Sequence, residues 1–254
     1  MPPVKEMSNL ALICLNFFYC LYVFILTVVF EILSHIVIIP CVIFRIGRID
    51  DIYRIHNWVY GQFIIKASRP LLKVKIEGIE KLPPSRPLVV VFNHNTYVDI
   101  FFTALVPVPD MLIVVKGWPF RILWGINFFM RTAGYMDIEQ LGAEEFMKRS
   151  KELVKRKVSF QFFPEGHRSR DGRLGRFKSG AFLLAAENNI PLVPVCMTGI
   201  EKFQTVTFPF IHPSTVTLRI LPAVFPENFE GELRSPAMRK HVKNMFTEAL
   251  NGLR

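Results

Sequence analysis

The chain has 254 residues, enough for one α/β domain with a sizeable core and an appendage. Hydrophobic residues make up 51% of it, mean hydropathy is +0.31, and 31 Lys and Arg against 21 Asp and Glu give a formal charge of +10. Basic charge joined to excess apolar content suits an anionic membrane surface, and the lack of zinc-finger spacing or an RNP-like pattern argues against nucleic acid as a partner.

The first predicted element is apolar. Leu10 to Phe30 is interrupted only by Asn16 and Thr27, and after Glu31 the run resumes from Ile32 to Phe44, broken by Ser34, His35 and Pro40. It is too long for the core of a cleavable signal peptide, and no small-residue cleavage site follows. The first stretch is long enough to cross a bilayer, which takes roughly 20 apolar residues. Leu10 to Phe44 is too short for two full spans with a turn. Two arrangements stay open: a single span, or a helix-turn-helix dipping into one leaflet with its turn near Glu31 to His35. Arg45, Arg48 and Arg54 follow the segment, whereas Lys5 and Glu6 before it cancel. The positive-inside rule therefore expects residues after 45 on the cytoplasmic face. Cys14, Cys20, Cys41 and Cys196 form no CxxC, which reads as a reducing compartment and no metal site.

Ile49 to Ser68 reads as a helical connector with Trp58 and Tyr60 available for the membrane interface. Residues 1–68 are thus expected to form a membrane-associated helical segment, and residues 69–254 an α/β domain. Leu71 to Ile76 alternates as a strand does. Turn signals follow at Gly78 and Pro83-Pro84, then a strand from Leu88 to Phe92, a helix from Tyr97 to Leu105 and a strand from Met111 to Val115. Trp118 to Met130 is apolar enough to line an acyl-chain pocket, touch a membrane or form a plain core helix. Further on come a helix from Ala143 to Lys157, a strand from Val158 to Phe163 and a helix from Ser179 to Asn188. Strands from Leu192 to Met197 and Val216 to Leu221 and a helix from Pro236 to Leu250 complete the chain. Strands alternating with helices predict a mixed, largely buried sheet flanked by helices.

Two of these strands end in reactive residues, where α/β enzymes carry their chemistry. Val89-Val90-Val91-Phe92 runs into Asn93-His94-Asn95-Thr96-Tyr97-Val98-Asp99. An imidazole titrates near neutrality and can take a proton from an alcohol, if a carboxylate on its other nitrogen fixes the tautomer and stabilises the imidazolium. Asp99 can do this for His94 when His94 lies in the loop and Asp99 near the start of the next helix, with Asn95 or Thr96 as N-cap. In the plainer alternative, Asp99 only complements a helix dipole. The second strand, Phe160 to Phe163, ends in Pro164-Glu165-Gly166-His167-Arg168-Ser169. There Gly166 permits a sharp turn or close approach of a ligand, and Arg168 offers a bidentate guanidinium for phosphate.

Asn-His-x4-Asp followed by Phe-Pro-Glu-Gly-x-Arg-Ser resembles the glycerolipid acyltransferases of the lysophosphatidate acyltransferase, or PlsC-type, family. Phe177-Lys178-Ser179-Gly180-Ala181, Ile190-Pro191-Leu192-Val193-Pro194-Val195 and Gly199 are similar to the family's downstream region, so the resemblance covers about residues 70 to 222. It implies transfer of an acyl group from acyl-CoA or acyl carrier protein to the sn-2 hydroxyl of 1-acylglycerol 3-phosphate, with no metal or bound cofactor. It also implies an N-terminal helical membrane element. The roles expected from it are His94 as base, Asp99 as its orienting partner and Lys116, at a strand end, as an oxyanion-stabilising cation. Glu165, Gly166, Arg168 and Ser169 are expected at the acceptor phosphate, supported by Asn93 and Lys178, with Arg170, Arg173 and Arg176 nearby.

The chain departs from the family in three places. Gln140 falls where the family carries a phosphate-binding Arg, and a neutral amide cannot replace a guanidinium there. His167 stands where Thr is frequent, and Lys116 lies in Lys-Gly-Trp-Pro rather than Lys-x-Glu-Leu. These leave the acyl-transfer chemistry in place and open a second reading, transfer to another lysolipid. A non-enzymatic lipid-binding protein is the remaining alternative. Oligomeric state, acyl-chain length and donor carrier are not legible.

Overall fold

A computed structural model describes residues 9–122, 124–169, 173–204, 211–231 and 233–252; Lys5, Glu6, Arg170 and Asp171 lie outside the described residues. The elements in chain order are α1 (Asn9–Ile43), α2 (Ile49–Ala67), β1 (Leu72–Glu77), β2 (Val89–Phe92), α3 (Asp99–Thr103), β3 (Met111–Val115), α4 (Trp118–Ile122) and α5 (Trp124–Thr132). They continue as β4 (Met136–Asp137), α6 (Ile138–Lys155), β5 (Ser159–Phe162), α7 (Gly180–Asn188), β6 (Leu192–Thr198), α8 (Ile200–Phe203), β7 (Ser214–Ile220) and α9 (Arg234–Asn251).

The seven strands form one mixed sheet in the order β1-β7-β6-β2-β5-β3-β4, parallel at every pairing except β6 with β7. β2 sits at its centre between β5 and β6, and all four of its residues are fully buried. Its unbroken Val-Val-Val-Phe run is what a parallel strand covered on both faces requires. Val89 and Val91 enter one core layer with Phe146, Phe160, Phe182 and Phe246 beneath α6, α7 and α9. Val90 and Phe92 enter the other with Phe102, Val195 and Leu218 beneath α3 and α8. β1, at the sheet edge, is buried mainly at Leu72.

α1 differs from one of the two arrangements open in the sequence, the helix-turn-helix within the apolar segment. It is continuous through Glu31 to His35, where a turn was expected, because nothing there breaks a helix. The chain turns instead after Ile43, where Arg45 and Gly47 adopt left-handed backbone angles of 55° and 83°. α1 and α2 therefore form the hairpin. α1 is held along much of its length by polar side chains on one face. Asn16 exchanges hydrogen bonds with the Ile211 backbone, at 2.6 Å and 3.3 Å. Tyr19 reaches Ser68 at 2.6 Å, and Thr27 reaches Tyr60 at 2.9 Å. Its other face exposes Phe17, Phe18, Phe24, Ile32, Ile36 and Val37. Trp58 and Tyr60, expected at a membrane interface, are half-buried and each holds a protein partner: the Trp58 indole donates to the Val106 carbonyl, and Tyr60 bonds Thr27.

Three further differences are local. α3 is one short turn rather than a helix from Tyr97 to Leu105. The apolar stretch Trp118 to Met130 folds as two helices, α4 and α5, and leads into the two-residue strand β4, too short to register as a pattern. α6 is interrupted at Gly142, whose φ of 72° is non-helical, so its regular part starts where the sequence placed it, at Ala143.

Arg54 of α2 ties the hairpin to the domain. Its guanidinium is fully buried and bonds Asp110 before β3 at 2.5 Å, the Ala133 carbonyl after α5 at 3.0 Å, Asp50 at 3.2 Å and also Asp51. Arg156, at the end of α6, bonds the same two aspartates. Burial opposes ionisation of Asp50, but Arg156 and Arg54 together hold its carboxyl down at about 2, against an ordinary value of 3.8. Its contribution to stability is complete above the ordinary value and lost as pH falls through about 2. Replacing Arg54 with Leu strands these carboxylates and should cost about 3 kcal/mol near neutral pH. Thermal unfolding of Arg54→Leu against wild type should show a deficit that narrows as pH falls from 4 toward 2.

Candidate active site

His94 lies in the loop that leaves β2, between strands whose own exits carry the other candidates. Its Nδ1 is 2.8 Å from Asp99 Oδ2. The Asp99 carboxylate is fully buried, whereas the imidazole is 21% exposed. Asp99 Oδ2 also accepts from the Asn95 backbone N–H at 2.5 Å and the Thr96 N–H at 3.0 Å, and Oδ1 accepts from Thr96 Oγ1 at 2.6 Å. Surrounded by donors, the carboxylate acts as acceptor, so Nδ1 carries the proton and the lone pair of Nε2 is free for chemistry.

The expected capping is reversed. Neither Asn95 nor Thr96 caps α3, whose N-cap position, Val98, makes no side-chain bond. The side chain of Asp99 reaches back to the two preceding amides instead, because a carboxylate at the first helical position can fold over a loop that still has unpaired N–H groups. Thr96, read in the sequence as a cap, thus donates to the Asp99 carboxylate.

The Phe-Pro-Glu-Gly segment after β5 cradles this loop. The Phe163 ring stacks on the imidazole with centroids 4.2 Å apart. Glu165, 1% exposed, accepts from the His94 N–H at 3.0 Å with one carboxylate oxygen and from the Gly175 N–H at 2.7 Å with the other. Burial pushes its carboxyl up, and the two N–H donors and the nearby imidazoles pull it back. The Ser169 N–H donates to the His94 carbonyl at 2.7 Å, and its hydroxyl donates to the Arg173 carbonyl at 2.9 Å. Asn93, 3% exposed, donates to the Met197 carbonyl at 2.8 Å and accepts from its N–H at 2.7 Å, extending the β2–β6 ladder past the last paired residue. His94 is therefore fixed through its N–H, its carbonyl, its ring face and its Nδ1. Glu165 and Ser169 bond its backbone, and the preceding Asn93 bonds Met197.

The cations converge next to this cradle. Gly166 has φ of 70°, and a Cβ there would lie 3.5 Å from Lys116 Cε and 3.6 Å from Lys178 Cγ. Glycine lets the backbone turn left-handed while two ammonium stems pack over it. Lys178 is also anchored by its N–H on the Pro164 carbonyl, at 2.7 Å. The Arg168 guanidinium lies 3.5 Å over the Tyr97 ring, and Tyr97 meets Trp118 edge-on, so the rim of the site is aromatic as well as basic. Beside the loops opens a 490 Å³ cleft bordered by Asn95, Glu165, Arg173, Thr198, Glu201 and Lys202. Glu201 and Lys202 carried no motif, and the sequence offered no signal for them. Gln140 lies elsewhere. It lines a separate 560 Å³ hollow at the sheet edge with Arg131, Arg149 and Arg156, which neither His94 nor Arg168 borders.

Comparison with known proteins agrees with this arrangement. The model of the acyltransferase family matches residues 73–198, which include both loops. A chloroplastic 1-acyl-sn-glycerol-3-phosphate acyltransferase of Brassica napus is 34% identical over 160 residues, 61% of this chain and 46% of that protein. The alpha 1-acyl-sn-glycerol-3-phosphate acyltransferase of Mus musculus is 29% identical over 180 residues, 68% of this chain and 62% of that one. The chain thus spans less than half the length of the Brassica napus relative. The crystal structure of the 1-acyl-sn-glycerophosphate acyltransferase PlsC of Thermotoga maritima shares the fold, with a TM-score of 0.73 at 23% identity, covering 95% of this chain and 98% of that one.

Glu165→Gln keeps the shape but places an NH2 group against one of two buried backbone donors. It should lower stability by about 2 kcal/mol. Chemical denaturation should read this as a lower midpoint, and an unchanged midpoint would remove Glu165 as the brace of the His94 loop.

Proposed function

We propose that the chain is a member of the acyltransferase family, whose model matches residues 73–198, and a membrane-bound O-acyltransferase. It moves a fatty acyl group from a thioester donor, acyl-CoA or acyl carrier protein, to the sn-2 hydroxyl of 1-acylglycerol 3-phosphate, giving phosphatidate. One observation carries this reading: the buried Asp99 holds His94 Nδ1 at 2.8 Å and leaves the opposite edge of the ring accessible beside converging cations.

In the proposed reaction the lysolipid hydroxyl gives its proton to His94 Nε2 as its oxygen bonds to the thioester carbonyl carbon. Asp99 stabilises the imidazolium. The ammonium of Lys116 faces the charge that builds on the carbonyl oxygen. Collapse of the tetrahedral intermediate breaks the carbon–sulfur bond, and the thiolate leaves with the proton from His94. Direct transfer is favoured over an acyl-enzyme because Ser169, the hydroxyl in the cradling loop, donates its Oγ–H to a backbone carbonyl. Arg168, Lys178 and the Gly166 turn are assigned to the acceptor phosphate.

The membrane reading rests on α1. At 35 residues it is about 50 Å long, well beyond a hydrocarbon core of about 30 Å. Its contacts to the domain run from Asn16 to Ile38, so crossing a bilayer would drag the domain in with it. Lying in one leaflet, with the exposed apolar face in lipid and α2 above it, satisfies both faces. The Arg45 and Arg48 side, with the catalytic domain, is assigned to the cytoplasm.

A second acceptor class is motivated by Gln140, a neutral amide where the resemblance expects a phosphate-binding Arg. Purified protein given acyl-CoA or acyl carrier protein thioester and a lysolipid panel should release free thiol fastest with lysophosphatidate. A faster turnover on another lysolipid would move the assignment to that acceptor. His94→Ala and Asp99→Asn should each lower kcat at least 100-fold, by about 3 kcal/mol, with folding intact. Arg168→Ala should mainly raise KM for phosphate-bearing acceptors, by about 10-fold.

A further inference from the structure

The contact between α1 and α2 contains a group of side chains that the acyl-transfer reading does not use. Glu31 and His35 lie four residues apart on one face of α1, and His56 faces them from α2. Glu31 Oε2 is 3.4 Å from His56 Nε2 and 3.5 Å from His35 Nδ1. It is buried, yet among the described residues it receives a hydrogen bond from neither ring nor from any other group. A carboxylate oxygen removed from water without a donor is costly; burial pushes the Glu31 carboxyl up, and a bound cation between it and the two rings would satisfy it.

We propose that Glu31, His35 and His56 bind one divalent transition-metal ion of the zinc class. Two tetrahedral ligands at Zn–N and Zn–O lengths of about 2.0–2.1 Å stand about 3.3 Å apart; the two distances from Glu31 Oε2 are close to this, and all three ligand atoms lie within 4.8 Å of one another. Two imidazoles and one carboxylate form a donor set that favours zinc-like ions over magnesium or calcium, which take oxygen ligands. Ser34 Oγ, 3.2 Å from His56 Nε2 and 3.4 Å from His35 Nδ1, marks a fourth corner where a water completes the shell.

The surroundings already orient the ligands. His56 is 7% exposed, and its Nδ1 lies 3.2 Å from Asn57 Oδ1, so Nδ1 carries the proton and Nε2, 3.2 Å from Ser34 Oγ and 3.4 Å from Glu31 Oε2, keeps its lone pair. Its ring is stacked on Phe129 at 5.6 Å. His35 Nδ1 lies 2.8 Å from the Glu31 carbonyl, and its Nε2 lies 3.3 Å from Tyr53 Oη. Ligation through Nδ1 moves the ring proton to Nε2, where Tyr53 accepts it, so the tautomer changes without a net loss of protons. Partners on the second ring nitrogen are a regular feature of metal-binding histidines. An ion held here joins the apolar helix to the domain at the point where α1, α2 and α5 meet.

The test uses the full chain in detergent, with its affinity tag removed and its metal stripped by chelator, near neutral pH. Cobalt(II) should bind at one equivalent with the visible absorption of a tetrahedral site, be displaced by zinc, and raise the melting temperature by about 5 °C at saturation. Glu31→Gln and His56→Gln should lose the absorption and the shift while keeping thiol release, which reports folding. Asn57→Ala should weaken binding by about 10-fold through the orientation of His56. His241→Gln, an exposed histidine outside the cluster, should bind as wild type does. No absorption under excess cobalt, or a band that survives in both ligand variants, would overturn the site and leave the acyltransferase reading untouched.

Discussion

A carboxylate enclosed by donors governs the geometry of this site. Asp99 is buried completely and gathers the Asn95 and Thr96 amides, the Thr96 hydroxyl and the His94 ring into one hydrogen-bonded knot. An ionised carboxyl without such donors could not remain in that position. The same knot fixes which nitrogen of His94 carries the proton. The shape of the loop and the protonation state of the base are therefore one fact.

That knot needs a platform, and the sheet supplies it. β5, β2 and β6 are adjacent and parallel, so three loops leave their carboxyl ends side by side. The loop after β5 grips the His94 backbone through Glu165 and Ser169, and Asn93 hooks onto Met197 of β6. A large share of the Phe-Pro-Glu-Gly-x-Arg-Ser motif is thus structural. Its glutamate and serine hold the base, its phenylalanine covers the ring, and its glycine makes room for Lys116 and Lys178. The arginine, half-buried, rests its guanidinium on Tyr97.

The α1–α2 hairpin follows a different logic. One face of α1 carries the scattered polar residues of an otherwise apolar helix, and each of those described meets a partner on α2, the domain or its own helix, apart from one oxygen of Glu31. The opposite face is apolar and exposed. Arg54 and its aspartates lock α2 to β3, α5 and α6, so an exposed apolar helix is carried by a rigid base.

Patterns that act over a few residues were legible from sequence: the apolar strand runs, the reactive ends of β2 and β5, the long apolar N-terminal segment, the mixed α/β class. The His94–Asp99 pairing was legible too, because five residues of loop can bring those groups together locally. The division of labour around them was not. Glu165 reads as a ligand-binding acid until β5 lies beside β2, and Thr96 reads as a cap until Asp99 turns back on it. Asn16, Thr27 and Glu31 look like blemishes in a span until the Ile211 backbone meets the first and α2 the other two. Each of those assignments depends on contacts between residues distant in the chain or on the direction of a hydrogen bond. Residue identity and spacing carry neither, and only the register of the packed sheet and helices decides them.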